Sequence, residues 1–82
     1  MTIRLTAQGE ILLEGTCSSE DAELLLQHLT ASPAAQVDWR ACELAHSAVI
    51  QVLMAAKPKL LGPPAGSGLR DWVYPILELS RV

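Results

Sequence analysis

The segment Q-V-D-W-R-A-C-E-L-A-H-S-A-V-I-Q-V-L-M-A-A-K-P-K-L-L-G, residues 36–62, decides the fold of this chain. It opens with a short β-prone stretch at 36–39, continues into an apolar run over 45–57 that predicts a helix, and ends in a second short strand at 59–62. A crossover of this length is what two parallel strands require. The segment therefore predicts a parallel βαβ unit.

A hairpin and a first helix are predicted ahead of this unit. Residues 3–7 alternate apolar and polar side chains, Gln8-Gly9 breaks the run, and residues 10–15 resume a strand-like pattern, which is typical of a hairpin with a glycine-containing turn. Ser18 and Asp21 have the spacing of a capping box, and Ser32-Pro33 is a helix stop. We therefore expect the first helix over residues 19–31.

A third helix is predicted after the Gly/Pro-rich loop at 63–68. Its apolar residues fall on a single helical face, and Pro75 within it is expected to kink or restart the helix; these residues are Leu69, Trp72, Val73, Ile76 and Leu77. The order β-β-α-β-α-β-α predicts one α/β domain over residues 1–82. Its architecture is a small mixed four-stranded sheet, a hairpin followed by parallel βαβ, with about three packed helices.

Composition and charge indicate which partners and which cellular location to expect. The formal net charge is −3 and the six Lys and Arg residues are spread singly, so nucleic acid is not an expected partner. The sequence has no signal-peptide core and no apolar run of about 18 residues, which predicts a cytoplasmic protein without direct membrane insertion. Cys17 and Cys42 lack metal-ligand spacing and are expected to be small buried hydrophobes.

Enzyme signatures are missing from the sequence. It contains no H-E-x-x-H, G-x-S-x-G or G-K-[ST] motif, and we predict no cofactor, no metal and no catalytic residue. A less favoured alternative is a small thiol enzyme or ligand carrier that uses Cys42, His46 and Asp38. It would need a helix beginning by Cys42, to place Cys42 and His46 on one face. Asp38 is predicted at the end of its strand, where ligands gather in α/β sheets, but the interpretation ranked first is a carboxylate that accepts backbone N–H groups of the following loop.

Ser47 begins the second predicted helix and has two interpretations. As an N-cap, its hydroxyl accepts a hydrogen bond from an orphan amide. As a phosphorylation site, it holds a phosphate against the positive end of the helix dipole. The helix behind it is apolar all round except for Gln51, so part of its surface must be buried against the domain or against a partner. Trp39 is either a core residue or an interface anchor.

The stretch V-D-W-R-A-C-E-L-A-H-S-A-V-I-Q-V-L, followed by L-L-G-P-P, resembles the STAS family, the sulphate-transporter and anti-sigma-factor-antagonist domains. The family pattern is a strand ending in V-D-[LF]-S, a few residues, and then D-S-[ST]-G-L-x-x-L at the start of a helix. Ser47 occupies the position of the family's phosphorylated hydroxyl residue. His46 stands in place of the family's Asp, Ala48 in place of the second hydroxyl residue, and Val49 in place of the Gly.

The resemblance implies a non-enzymatic cytoplasmic module of bacterial signal transduction, similar to an anti-sigma factor antagonist. Such a module binds a regulatory protein, a serine or histidine kinase, and phosphorylation of Ser47 controls the binding. The alternative is an accessory subunit of a membrane transporter complex, in which Ser47 stays unphosphorylated. A homodimer formed through the second helix is compatible with the signalling module. The residues expected to contact the partner are Arg40, Glu43, His46, Ser47, Val49 and Ile50.

Overall fold

The computed structural model describes residues 2–80 and has the predicted α/β fold. Its strands are β1 (Ile3–Leu5), β2 (Ile11–Cys17), β3 (Gln36–Ala45) and β4 (Lys59–Leu61). Its helices are α1 (Ser19–Ala31), α2 (Ser47–Ala56) and α3 (Tyr74–Ser80), the last preceded by a π-helical segment, Leu69–Val73. The predicted hairpin, element order and bounds of α1 are confirmed. Within residues 2–80, no helix has the length and apolar character needed to cross a bilayer.

The four strands form one sheet in the order β1-β2-β3-β4. β1 pairs antiparallel with β2, whereas β2, β3 and β4 are parallel neighbours. Both crossovers, through α1 and through α2, step in the same direction across the sheet, so right-handed connections place both helices on one face. The two helices pack against each other there. The opposite face of the sheet carries two ion pairs, Arg4–Glu14 and Asp38–Arg40.

The core lies between the sheet and the helices. Side chains that alternate along β2 and β3 point to this layer, and those fully or almost fully buried include Ile11, Leu13, Cys17, Val37, Trp39 and Cys42. Trp39 is completely buried, and its ring lies 6.1 Å from that of Tyr74. The core interpretation of Trp39 is therefore correct, and the interface interpretation is wrong.

Strand β3 is ten residues long, from Gln36 to Ala45, instead of the four that the sequence predicts. Its second half continues to pair with β2, after register shifts between Leu12 and Glu14 and between Gly15 and Thr16. Gly15 has a φ of 65°, a left-handed conformation that glycine adopts without strain. These irregularities keep Cys42 facing the core, so the strand runs on to the start of α2.

The predicted apolar face of the third helix is only partly correct. Leu69 and Leu77 are buried, but Trp72 and Ile76 are 77% and 55% exposed. Pro75 cannot donate the hydrogen bond that a regular helix needs at its position, and the preceding turn is wider: the Tyr74 N–H donates to the Leu69 carbonyl, five residues back. The wider turn changes the angles at which the side chains leave the helix axis. Trp72 and Ile76, which the sequence places on the apolar face, therefore point outward.

Candidate functional site

Two helix starts meet at the carboxyl edge of the parallel strands. Cys17 and Ala45, the last residues of β2 and β3, are register partners. The His46 N–H donates to the Cys17 carbonyl at 2.9 Å, which fixes the cap of α2 beside the cap of α1. We call residues 17–20 and 45–48 the helix-start edge. An edge of this kind collects backbone N–H groups and the positive ends of two helix dipoles.

The start of α1 is closed by its own side chains. The Ser18 hydroxyl accepts the Asp21 N–H at 3.4 Å, and the Asp21 carboxylate accepts the Ser18 N–H at 2.8 Å. Asp21 also accepts a hydrogen bond from the Thr2 hydroxyl and is only 8% exposed. The predicted capping box is confirmed, and it also ties the N-terminal strand to α1.

The start of α2 is capped by a different residue from the predicted one. His46 is the N-cap, and its Nδ1 accepts the Ala48 N–H at 3.0 Å. Ser47 is the first residue of the helix, and its exposed hydroxyl makes no hydrogen bond to any residue in 2–80. The N-cap interpretation of Ser47 is wrong: β3 ends at Ala45, α2 begins at Ser47, and His46, the residue between them, is the cap.

An apolar groove leads away from the helix-start edge between α1 and α2. We call it the interhelix groove; its volume is ≈ 440 Å³ and its lining is Ser19, Ala22, Glu23, Leu26, Ala48, Gln51, Val52 and Ala55. Leu26 is 51% exposed on one wall, and Ser19 and Ala48 belong to the edge itself. Three alanines leave the groove open, because their side chains are too short to fill it.

Sequence reasoning did not identify this groove. Its clearest signal is Leu26, which is apolar but lies off the buried face of α1 that Ala22, Leu25 and Leu29 form. The other signal is the all-apolar surface of α2, which predicted some exposure but not its location. Locating the groove requires the pairing of α1 with α2, and this follows from the strand order.

The structure brings together only part of the predicted partner surface. His46 and Ser47 are exposed at the helix-start edge, and Ile50 is half-buried one turn further along α2. Val49 is completely buried in the core, so its assignment to the partner surface is wrong: it occupies the inward face of α2, as Leu53 does one turn later.

Glu43 is exposed near the end of β3, where the loop after β4 packs against it. The Gly66 N–H donates to the Cys42 carbonyl at 3.0 Å. A side chain at Gly66 would place its Cβ 1.8 Å from the Glu43 carbonyl oxygen, so only glycine allows this approach. Glu43 is thus an exposed residue of β3 that lies three positions before His46, next to the helix-start edge.

Arg40 lies elsewhere. It alternates with the buried Trp39, so it lies on the open face of the sheet, where its guanidinium binds Asp38 at 2.8 Å. This hydrogen bond lowers the pKa of the Asp38 carboxyl. Asp38 is the third residue of β3, not its last. The predictions that Asp38 ends the strand and that Arg40 joins the partner surface are both wrong, because the strand is longer than predicted.

The residues of the predicted thiol site are not assembled. Cys42 is a buried strand residue, so it cannot share a helical face with His46, and Asp38 occupies the open side of the sheet. Cys42 instead faces Cys17, with 3.9 Å between the two sulfur atoms. Among residues 2–80, no group of three His, Cys, Asp or Glu side chains is placed to hold a metal ion.

The chain was compared with protein families, curated proteins and solved structures. No family model, no curated protein and no solved structure matches this chain.

Proposed function

We propose that this protein is a STAS-like, non-enzymatic interaction module that docks a regulatory protein through the helix-start edge and the interhelix groove. The observation that carries the proposal is their continuity. Ser19 and Ala48 belong to the helix-start edge and also line the apolar groove. The exposed residues His46 and Ser47 directly precede Ala48 in the chain. Groove docking of an apolar helix face is a common mode of recognition. Arg40 and Val49 are not part of this surface.

Ser47 is the residue through which such docking is controlled. Its hydroxyl is exposed and has no structural hydrogen bond within the described residues, so a kinase can reach it without unfolding the helix. A phosphate there would lie at the positive end of the α2 dipole. It would also place a dianion beside the apolar groove and oppose the docking of an apolar partner.

A second version of the function is favoured by one contact. The Ala48 N–H, which a phosphate on Ser47 would use, already donates to His46 Nδ1. In this version the edge is a permanent docking surface of a transporter accessory subunit, and Ser47 is never modified. The two versions share the surface and the groove but differ in their regulation.

Docking is tested by affinity capture with the wild-type protein, followed by titration of the purified captured partner. We expect Leu26→Lys, in the groove, and Ser47→Arg, at the edge, to weaken binding at least about tenfold, the effect expected when an interface contact of about 1.4 kcal/mol is lost. Arg40→Ala is the matched control and should bind as the wild type does. Equal loss with Arg40→Ala would contradict the proposed surface.

Regulation is tested by intact mass after incubation with ATP and the captured partner, or with kinases of the serine and histidine classes. The signalling version predicts one added phosphoryl group on the wild type and none on Ser47→Ala. The transporter version predicts no addition to either protein. A phosphoryl group present on Ser47→Ala would assign the modification to another residue and contradict the role of Ser47.

A further inference from the structure

The two cysteines form a buried dithiol directly beneath the helix-start edge. Cys17 and Cys42 are free, and 1% and 0% of their surfaces are exposed. Their burial was predicted from the sequence, but their contact was not: the sulfur atoms lie 3.9 Å apart although 25 residues separate them in the chain. The contact arises because β2 and β3 are parallel neighbours and both side chains face the helices.

The surroundings of the pair distinguish the two sulfurs. Cys42 Sγ lies 3.5 Å from the Leu44 carbonyl oxygen, whereas Cys17 Sγ lies 3.7 Å from the Thr2 carbonyl oxygen. The hydrogen bond between the two thiols lowers the pKa of Cys17, and the same hydrogen bond together with burial raises the pKa of Cys42. Cys17 is therefore the better thiolate of the two.

Part of the cover over Cys17 is Thr2, whose carbonyl oxygen contacts the Cys17 sulfur. Thr2 directly precedes β1, an edge strand of only three residues, Ile3–Leu5. Short edge strands open at a lower free energy than central strands do. Local opening of β1 would therefore give a small molecule access to Cys17 without unfolding the rest of the sheet.

We propose that Cys17 and Cys42 are a redox-modifiable dithiol, which peroxide converts into a disulfide that alters the geometry of the helix-start edge. Cys17 is the last residue of β2, directly before the cap of α1, and its carbonyl accepts the His46 N–H. The two sulfurs must approach by about 2 Å to reach the length of an S–S bond. Because Cys17 is in register with Ala45 and Cys42 with Gly15, the two cysteines are offset along their strands. A bond between them would therefore draw the end of β2 and the attached caps toward the middle of β3.

The chemistry balances with hydrogen peroxide as the oxidant. The Cys17 thiolate attacks one peroxide oxygen, the O–O bond breaks, and the products are Cys17 sulfenic acid and hydroxide, which takes up the released proton to become water. The Cys42 sulfur then attacks the Cys17 sulfur, the S–O bond breaks, and the hydroxyl leaves as water with the Cys42 proton. Two thiols lose two electrons in total, and one peroxide becomes two molecules of water.

The consequence for docking rests on the proposed function, whereas the disulfide itself does not. Ser47 and the mouth of the interhelix groove follow immediately after the residues that the disulfide would shift. Oxidation would therefore change the affinity for the docked partner. Reduction by a cellular dithiol would restore it.

The chemical test uses the isolated full-length protein and hydrogen peroxide. We expect a monomer that has lost two hydrogen atoms, a Cys17–Cys42 peptide in a non-reducing digest, and full reversal by dithiothreitol. In Cys42→Ala, Cys17 should stop at the sulfenic acid, which a sulfenic-acid probe traps; Cys42→Ser is the second variant if alanine impairs folding. Oxidation of folded wild type without an intramolecular disulfide would overturn the proposal.

Two further readouts test access and coupling. Ile3→Ala, which weakens β1, should accelerate oxidation several-fold, and an unchanged rate would overturn the access route. In amide NMR spectra, the shifts between reduced and oxidised protein should include residues 46–48, which follow neither cysteine directly in the chain. Changes confined to the immediate neighbours of the two cysteines would overturn the coupling to the edge.

A binding measurement distinguishes failure of the redox inference from failure of the proposed function. Titration of the captured partner with reduced and oxidised wild type should give affinities that differ at least about threefold. Equal and measurable affinities would contradict regulation by the disulfide but leave the docking surface intact. Absence of binding in both states, together with an intact disulfide, would contradict the proposed function alone.

Discussion

The two helix starts at the carboxyl edge of the sheet are neighbours in space but are built differently. The start of α1 uses a serine and a buried carboxylate that cap each other and bind Thr2. The start of α2 has no acidic residue in its first turn, takes its cap from His46 and leaves Ser47 exposed. The start of α1 is therefore closed by hydrogen bonds among Ser18, Asp21 and Thr2. Each start exposes a serine as its first helical residue, Ser19 in α1 and Ser47 in α2, but only α2 has no acidic residue in its first turn. We place the regulated serine at α2 because no carboxylate opposes a phosphate there.

The largest loss of stability is expected when the hydrogen bonds at the start of α1 are removed. Asp21→Ala removes one half of the capping box and the acceptor for Thr2, and should lower the free energy of unfolding by about 2–3 kcal/mol. Urea unfolding measures this loss. Glu20→Gln, an exposed acidic position in the same turn, is the control and should cost about 0.5 kcal/mol or less. If both variants lost the same free energy of unfolding, the negative charge near the helix dipole, and not the hydrogen bonds of Asp21, would stabilise the start of α1.

The inward side of the second start is tested by Val49→Ala. Because Val49 is completely buried, the lost contacts should cost about 2 kcal/mol in urea unfolding. Met54→Ala, on the partly exposed side of the same helix, should cost about 0.5 kcal/mol. If the order of the two losses were reversed, the assignment of the inner and outer faces of α2 would be incorrect.

The cap itself is tested by comparing His46→Ala with Ser47→Ala. Loss of the Nδ1 acceptor should cost about 1 kcal/mol. Ser47→Ala removes no structural hydrogen bond within the described residues and places a better helix former in the first turn, so stability should stay within about 0.5 kcal/mol of the wild type. Thermal unfolding of both variants measures the difference. A larger loss for Ser47→Ala would restore serine as the cap.

The smallest effect concerns the open face of the sheet, away from both helix starts. Arg40 holds the pKa of Asp38 below its usual range, and Arg4 does the same for Glu14. A depressed carboxyl pKa contributes stability above the unfolded value, about 3.9 for Asp, and this contribution is lost as the pH falls through the folded value.

Arg40→Ala should therefore lower stability slightly at neutral pH, and the loss should shrink at an acidic pH, as the pH falls through the lowered pKa of the Asp38 carboxyl. Urea unfolding as a function of pH measures this difference. A loss of the same size at both pH values would show that Arg40 contributes through packing and not through its charge.

The sequence predicts most of this fold because its local signals agree with one another. The capping box of α1 and the stop at Ser32-Pro33 depend on neighbouring residues, so the bounds of α1 are correct. The length of β3 depends on pairing with β2 across a bulge, which no local pattern reveals. The local pattern therefore predicts that the strand stops at Trp39, and the errors on Asp38 and Arg40 both follow from this one.

The candidate site was predicted in part for the same reason. Ser47 was identified because the serine, the start of an apolar run and the STAS-like pattern are all local features. The roles of His46 and Val49 depend on where the helix begins, to within one residue. The interhelix groove and the sulfur contact between Cys17 and Cys42 depend on strand order, which was not predicted.

The most direct test of the central claim is the affinity of the captured partner for Ser47→Arg, measured beside wild type and Arg40→Ala. Urea unfolding first establishes that all three proteins are folded. The account predicts that Ser47→Arg binds at least about tenfold more weakly and that Arg40→Ala binds as the wild type does. Undiminished binding by a folded Ser47→Arg would contradict the claim that the start of α2 is the docking surface.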